Sequence, residues 1–211
     1  MNDLFPERIE TERLVFEPMY EVDVNVLYEV CAADEGIEVV TEYMPWDPHD
    51  TPKETAEFLK RQADQWEDGD SAGYVVRPAD GEDGGGEIAG STALHVDWDK
   101  RLGTIGLWLR KGFWGRGYSG ERAGALLAVA FDHLDLEVVA VTHMIGNEKS
   151  RRAIEAYVDR FGGRHEGLLR NFEPADLETG GAVDAHRYTI SAEEFAANRG
   201  EPPAVTFDPE T

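Results

Sequence analysis

Cysteine is nearly absent from this chain. Cys31 is the single one in 211 residues, so no disulfide can close within the chain. It falls in a segment with helical spacing, where a small buried hydrophobe is the expected reading. Lysine is scarce too, with five (at 53, 60, 100, 111 and 149) against fifteen arginines. Basic charge as a whole is outnumbered, 20 Lys and Arg against 43 Asp and Glu, for a net charge of −23. So acidic a surface repels a phosphate backbone, and no nucleic-acid partner is expected. No apolar run approaches the roughly 20 residues that span a bilayer, so no membrane partner is expected either. The opening residues Met-Asn-Asp-Leu-Phe-Pro-Glu carry no basic-then-apolar signal, and a cytoplasmic location is expected. Glu82, Asp83 and Glu87 cluster without His or Cys and match no calcium-loop spacing, so no metal is expected. No internal repeat is visible.

What is present fits one domain. Hydrophobic residues make up 41% of the chain, enough for a sizeable core. The expected boundaries are a single domain over 1–198 and a disordered tail over 199–211, where prolines accumulate. Alternation in Thr11 to Pro18 predicts a first strand. Val22, Val26, Leu27 and Val30 predict a helix between Tyr20 and Ala33; the segment from Gly36 to Met44 is ambiguous. Pro45 to Pro52 is a loop, in which Trp46 and His49 could be packed or could line a substrate mouth. Thr51-Pro-Lys-Glu54 opens a helix with a capping box. Ala72–Arg77 and Ile88–Val96 read as a hairpin with a long, mobile glycine-rich tip.

The chain is organised around Trp108-Leu-Arg-Lys-Gly-Phe-Trp-Gly-Arg-Gly-Tyr-Ser-Gly120. A strand precedes it. A helix over Glu121 to Leu134 and a buried strand over Glu137 to Met144 follow. A glycine turn that opens a helix aims several unpaired backbone N–H groups at one spot, at the positive end of the helix dipole, and suits a phosphate. Residues 100–152 also carry nine basic against five acidic residues, a local positive field in an acidic chain. A small polyanionic ligand is therefore expected. Beyond this unit, Asn147 caps a helix with Ile154, Tyr157, Val158 and Phe161 on its apolar face. Two final strands lie near 167–171 and 185–190, joined by an acidic loop, and Ser191-Ala-Glu-Glu194 forms another capping box.

Two phosphate-binding readings compete. Gly115-Arg-Gly117-Tyr-Ser-Gly120 matches the dinucleotide pattern Gly-x-Gly-x-x-Gly. That pattern also wants an acidic residue at the end of the next strand, where this chain has His143-Met144. The second reading covers more of the chain. Trp-Leu-Arg, then Phe-Trp-Gly-Arg-Gly-Tyr-Ser, a helix, a strand, Asn147-x-x-Ser150-Arg-Arg, and Glu166-Gly-Leu-Leu-Arg170 closely resemble the GNAT acetyltransferases. The likeness is to their RimJ/RimL-like branch, which acetylates protein N-termini, and it runs from about residue 11 to residue 198. It implies an α/β (α+β) fold, with a mixed, mostly antiparallel sheet of about seven strands flanked by helices.

The resemblance also implies acetyl-CoA as co-substrate, an amine acceptor (a protein N-terminus or a small amine), and a monomer or homodimer. Trp114, Gly117 and Ser119 fall on the family's pyrophosphate-loop positions. Gly115, Arg116, Gly117, Tyr118, Ser119 and Gly120 would then surround the pyrophosphate. Trp108, Leu109 and Arg110 would lie along the pantetheine, with Asn147, Ser150 and Arg151 beside it. Ser150 is the expected proton donor to the thiolate and Tyr157 the second candidate. Thr104 stands where relatives often carry a Glu, which leaves the base open among Glu166, Asp184 and His143. A binding module without turnover is the alternative to an enzyme, and NAD binding the alternative to acetyl-CoA. Widespread carboxylate with few lysines further suggests adaptation to a salt-rich cytoplasm. The melting temperature should therefore be markedly higher in molar KCl than in dilute buffer; equal values would rule this out.

Overall fold

The computed structural model describes residues 4–174, 181–200 and 206–207. The alternation in Leu-Val-Phe-Glu-Pro produces strand β2 (Leu14–Pro18), which buries Leu14, Phe16 and Pro18. A two-residue strand, β1 (Ile9–Glu10), pairs with it antiparallel. The Asp23 side chain accepts from the N–H groups of Asn25 and Val26 and starts helix α1 (Val24–Ala33). The ambiguous segment after it forms the short helix α2 (Ile37–Thr41), entered through Gly36 at φ 86°. Thr51 Oγ1 accepts from the Glu54 N–H and opens α3 (Pro52–Glu67). The reciprocal half of that capping box does not form, because the Glu54 carboxylate accepts from the Asp50 N–H instead.

Strands β3 (Ser71–Pro78), β4 (Gly90–Asp97) and β5 (Leu102–Leu109) form an antiparallel meander. The tip between β3 and β4 is held by tertiary contacts and is not the free loop that its glycines suggest. Arg77 donates to the Gly86 carbonyl, Tyr118 to Glu82, and Arg116 to Asp83. Next come helix α4 (Tyr118–Ala128), which begins three residues earlier than its apolar spacing predicts and widens into a π-helical turn at Val129–His133, and strand β6 (Val138–Met144). The chain continues with α5 (Glu148–Arg160), β7 (Arg164–Pro174), β8 (Ala182–Ser191) and α6 (Ala192–Asn198). The predicted capping box at Ser191 and Glu194 is complete. The acidic loop expected between β7 and β8 falls mainly on 175–180, outside the described residues.

The sheet runs β7-β8-β6-β5-β4-β3-β2-β1 and ends on the two-residue strand β9 (Thr206–Phe207). The seven strands β2 to β8 match the expected number. Thr206–Phe207 belongs to the tail that was expected to be disordered, yet it pairs with Ile9 and Glu10; 201–205 and 208–211 lie outside the described residues. Every neighbouring pair is antiparallel except β5 and β6. Helices α1 and α3 cover one face, packing Leu27, Cys31 and Leu59 with Val75 and Ile88. Burial pushes the Cys31 thiol up to about 12, which keeps it an unreactive hydrophobe. Helices α4 and α5 cover the other face, packing Leu126, Leu127, Ile154 and Val158 with Leu94, Ile105 and Val139.

Gly90 fixes how closely β4 meets the end of β5. A Cβ there would stand 2.1 Å from the Trp108 carbonyl oxygen, with φ at 158°. Gly90→Ala should cost about 3 kcal/mol of unfolding free energy through strain and overpacking, read by urea denaturation. A cost under about 0.5 kcal/mol would show that the strands can part there freely.

Candidate active site

The single parallel contact of the sheet is short. β5 and β6 pair from Leu102↔Val138 to Thr104↔Ala140 and then separate. From Ile105 to Leu109, β5 stays paired with β4 but has no strand partner on its β6 side among the described residues. The opening continues into a cavity of about 930 Å³. Its walls are the end of β5, the glycine turn, the inward face of α5, Val141 and Thr142 of β6, and the stretch from Val39 to Met44.

The glycine turn contributes backbone donors. Gly115 and Gly117 adopt φ of 78° and 81°, values that favour glycine. Gly117 precedes the first residue of α4. Among the described residues, no hydrogen bond takes up the N–H groups of Gly115, Arg116, Gly117, Tyr118 or Ser119. Five consecutive open donors at a helix N-terminus make an anion site. The turn is braced from outside. The Glu121 carboxylate accepts from Thr11 Oγ1 at 2.7 Å and from the backbone N–H and Nε of Arg13 at 2.8 Å each. Arg13 in turn donates to the Arg116 carbonyl at 2.9 Å. Trp114 ties the two walls together: its indole N–H donates to the Leu109 carbonyl at 2.7 Å, and Lys149 of α5 lies 4.1 Å from its ring centroid.

Helix α5 starts with Asn147, whose Oδ1 accepts from the Ser150 N–H at 3.0 Å. That leaves the Asn147 side-chain N–H₂ as a donor at the cavity wall, beside Ser150. Two turns further, Tyr157 is 2% exposed and its hydroxyl has no hydrogen-bond partner. Arg122 of α4 is also 2% exposed, and its Nε and Nη1 have no partner. Both residues line the cavity. Burial pushes the Tyr157 phenol up, an effect the Arg122 charge opposes, and pushes the Arg122 guanidinium down.

Of the nine basic residues in 100–152, five are neutralised. Lys100 pairs with Asp97, Arg101 with Asp135 and Glu137, Arg110 with Asp34, Arg116 with Asp83, and Arg151 with Glu148. The guanidinium groups of Arg110, Arg116 and Arg151 are thus already engaged, and Arg151 does not line the cavity. Arg116 lines the cavity with its guanidinium held by Asp83 and the Gly112 carbonyl. Lys111, Arg122, Lys149 and Arg152 have no ion pair among the described residues, and the last three line the cavity. Sequence reasoning passed over Arg122, Lys149 and Arg152 as individual site residues. The i, i+3, i+4 spacing of 149, 152, 153, 156 and 160 on α5 was the available signal.

A family profile described as "Acetyltransferase (GNAT) domain" matches residues 13–157. The chain belongs to the GNAT acetyltransferase family. YdaF of Bacillus subtilis, named as a ribosomal N-acetyltransferase, is 37% identical over 87 residues, or 41% of this chain and 45% of that protein. The matched part is therefore less than half of YdaF's length. The N-acetyltransferase p20 of Bacillus licheniformis, uncharacterized by its own name, is 24% identical over 193 residues, 90% of this chain and 99% of that protein. The solved structure of the microcin C7 self-immunity acetyltransferase MccE, in complex with acetyl-CoA and AMP, superposes with a TM-score of 0.71 at 16% identity. It covers 85% of this chain and 93% of that one. The architecture is the GNAT fold.

In this chain none of the three base candidates lines the large cavity. Glu166 accepts from Thr189 Oγ1 at 2.7 Å beside a second cavity, and Asp184 accepts from the Asn171 N–H. His143 stacks on Tyr188 with His186 tilted beside it, and burial pushes its imidazole down. Glu173 of β7 was not foreseen: it accepts from Thr142 Oγ1 at 2.6 Å, on the β6 wall of the cavity. Trp46 packs edge-on against Trp108, and His49 bonds Thr55, so both belong to the packed shell. Among the described residues no group of three or more His, Cys, Asp or Glu is placed to hold a metal, and no helix is long and apolar enough to cross a membrane.

Glu121 is the keystone of the loop brace, its side chain 14% exposed. Glu121→Ala should remove about 2–3 kcal/mol of stability, because Arg13 loses its partner and its hold on the Arg116 carbonyl weakens. Chemical denaturation reads this; a change below about 0.5 kcal/mol would show that the brace is idle.

Proposed function

We propose that residues 1–198 form one acetyltransferase domain that moves an acetyl group from acetyl-CoA to a primary amine within a ternary complex. The observation that carries this reading is one cavity joining five open backbone donors to the unpaired edge of β5. Bound acetyl-CoA supplies a thioester. The N–H groups of 115–119 would hold its pyrophosphate, in the glycine turn that ends on Gly120. The β5 edge near Trp108 and Leu109, with the Asn147 side chain, would hydrogen-bond its pantetheine amides. An N–H of that edge would also stabilise the oxyanion that develops at the carbonyl.

Attack by the neutral amine forms the C–N bond and breaks the C–S bond. Positioning and oxyanion stabilisation supply most of the acceleration. Ser150 lines the cavity beside Asn147 and would protonate the leaving thiolate. Tyr157, buried two turns along the helix and pushed up by burial, is the poorer donor. Glu42 lines the cavity, and Glu173 bonds Thr142 on its β6 wall; these carboxylates would attract a cationic acceptor before it loses its proton. A protein N-terminal α-amine is the favoured acceptor and a RimJ/RimL-like place in the family the favoured branch, supported by YdaF's name. A ribosomal acceptor would place the enzyme in the cytoplasm.

Steady-state assays with acetyl-CoA and a panel of N-terminal peptides and small amines test the reading. Turnover is expected, rising with pH as the amine deprotonates. Ser150→Ala should lower kcat roughly 10²-fold with little change in the KM for acetyl-CoA, the size of one general-acid contribution. Acetyl-CoA binding without turnover on any amine would overturn the enzymatic reading.

A further inference from the structure

Among the described residues, Arg122 is the one buried cation with neither an ion pair nor a hydrogen-bond acceptor. Its relative exposure is 2%, and neither Nε nor Nη1 meets an acceptor. A guanidinium stays charged at neutral pH even when burial disfavours it. No carboxylate pairs with it among the described residues. The Tyr157 ring, its centroid 5.8 Å from Cζ, gives the guanidinium a cation–π contact but neither an acceptor nor a compensating charge. The Tyr157 hydroxyl is buried and unpartnered in turn. Two such groups side by side are rare in a folded interior, because each forfeits its hydrogen bonds to water.

Their position gives the pair a purpose. Helical side chains lean toward the helix N-terminus, so Arg122 reaches back over the first turn of α4. That turn carries the open donors of Tyr118 and Ser119. Gly120, on the same turn, lies against Tyr157: a Cβ built at Gly120 would sit 4.0 Å from that of Tyr157. Arg122 and Tyr157 both line the cavity into which the amides open.

We propose that Arg122 and the Tyr157 hydroxyl form a buried second half of the anion site, supplying side-chain donors to the diphosphate that the glycine-turn amides hold. The inference rests on the acetyl-CoA reading above and adds to it two donors that the turn alone lacks. The ligand would complete the hydrogen bonding of two groups that the free protein keeps unsatisfied. Removing the charge therefore has opposite effects on the free and the bound protein.

Arg122→Met, close in length and uncharged, tests this by thermal melting and calorimetry on the full chain. Acetyl-CoA, CoA and inorganic pyrophosphate are the probes. The free variant should melt at the wild-type temperature or above. Its affinity for acetyl-CoA and CoA should fall about 10- to 100-fold, as for lost charge-assisted hydrogen bonds. The stabilisation of wild type by pyrophosphate should largely vanish. Tyr157→Phe should weaken acetyl-CoA several-fold without loss of folding. Lowered melting or misfolding of free Arg122→Met, or unchanged acetyl-CoA affinity in either variant, overturns the proposal. So does a loss confined to succinyl-CoA, which would place the guanidinium at the acyl group. If neither acetyl-CoA nor CoA stabilises the wild-type protein, it is the acetyl-CoA reading that fails, a result separable from all of these.

Discussion

The separation of β5 and β6 after three paired residues is the constraint on which the rest of the molecule depends. Buried backbone N–H and C=O groups are almost always paired. A strand edge that loses its neighbour inside a sheet must therefore meet water or a ligand chain with alternating donors and acceptors. From Ile105 to Leu109 the β4 side of β5 is satisfied and the other side opens into the cavity. The crossover that parallel strands require is α4, and its N-terminus is the glycine turn. One topological choice thus puts an open strand edge and an open helix N-terminus on the walls of one cavity. Trp114 keeps them in register, with its indole N–H on the β5 carbonyl of Leu109 and Lys149 of α5 on its ring.

Charge works at two ranges. The chain carries −23, a field that repels an anionic coenzyme and draws in cationic amines. Near the cavity the balance reverses, because Arg122, Lys149 and Arg152 line it without ion pairs while Arg110, Arg116 and Arg151 are neutralised by Asp34, Asp83 and Glu148. Salt changes these ranges unequally. A Debye length of about 8–10 Å at ordinary ionic strength screens the acidic exterior, whereas contacts inside a cleft are screened much less. High salt would relieve the self-repulsion of the surface and still leave the short-range anion site in force.

The features set by local spacing were legible in the sequence. The strand–glycine turn–helix–strand unit, the cap at Asn147, the capping box at Ser191 and the seven longer strands follow from periodicity and capping chemistry. The fate of individual charges was not legible. Arg110 and Arg116 look like ligand contacts in a linear reading, but Asp34 and Asp83 reach them from distant segments. The hairpin tip looks mobile from its glycines, but Arg77, Arg116 and Tyr118 hold it. Glu173 reaches β6 from β7 through a register shift between Leu169 and Glu173 that no spacing rule anticipates.

Arg122 was hidden for a related reason, and it bears on how the site is made ready. On sequence it counts as one of nine basic residues in a locally positive stretch; only the packing of α5 against α4 singles it out by burying it. The open amides are likewise held in place before any ligand arrives, since Glu121, Thr11 and Arg13 fix the turn from the opposite side. Donors that are held in place in advance need little reorganisation on binding, so more of each hydrogen bond appears as affinity. Burial of Arg122 and the Tyr157 hydroxyl disfavours the free protein, in which those two side chains have nothing to bond. Readiness for an anionic ligand and reduced stability without one are therefore two results of the same unpaired groups.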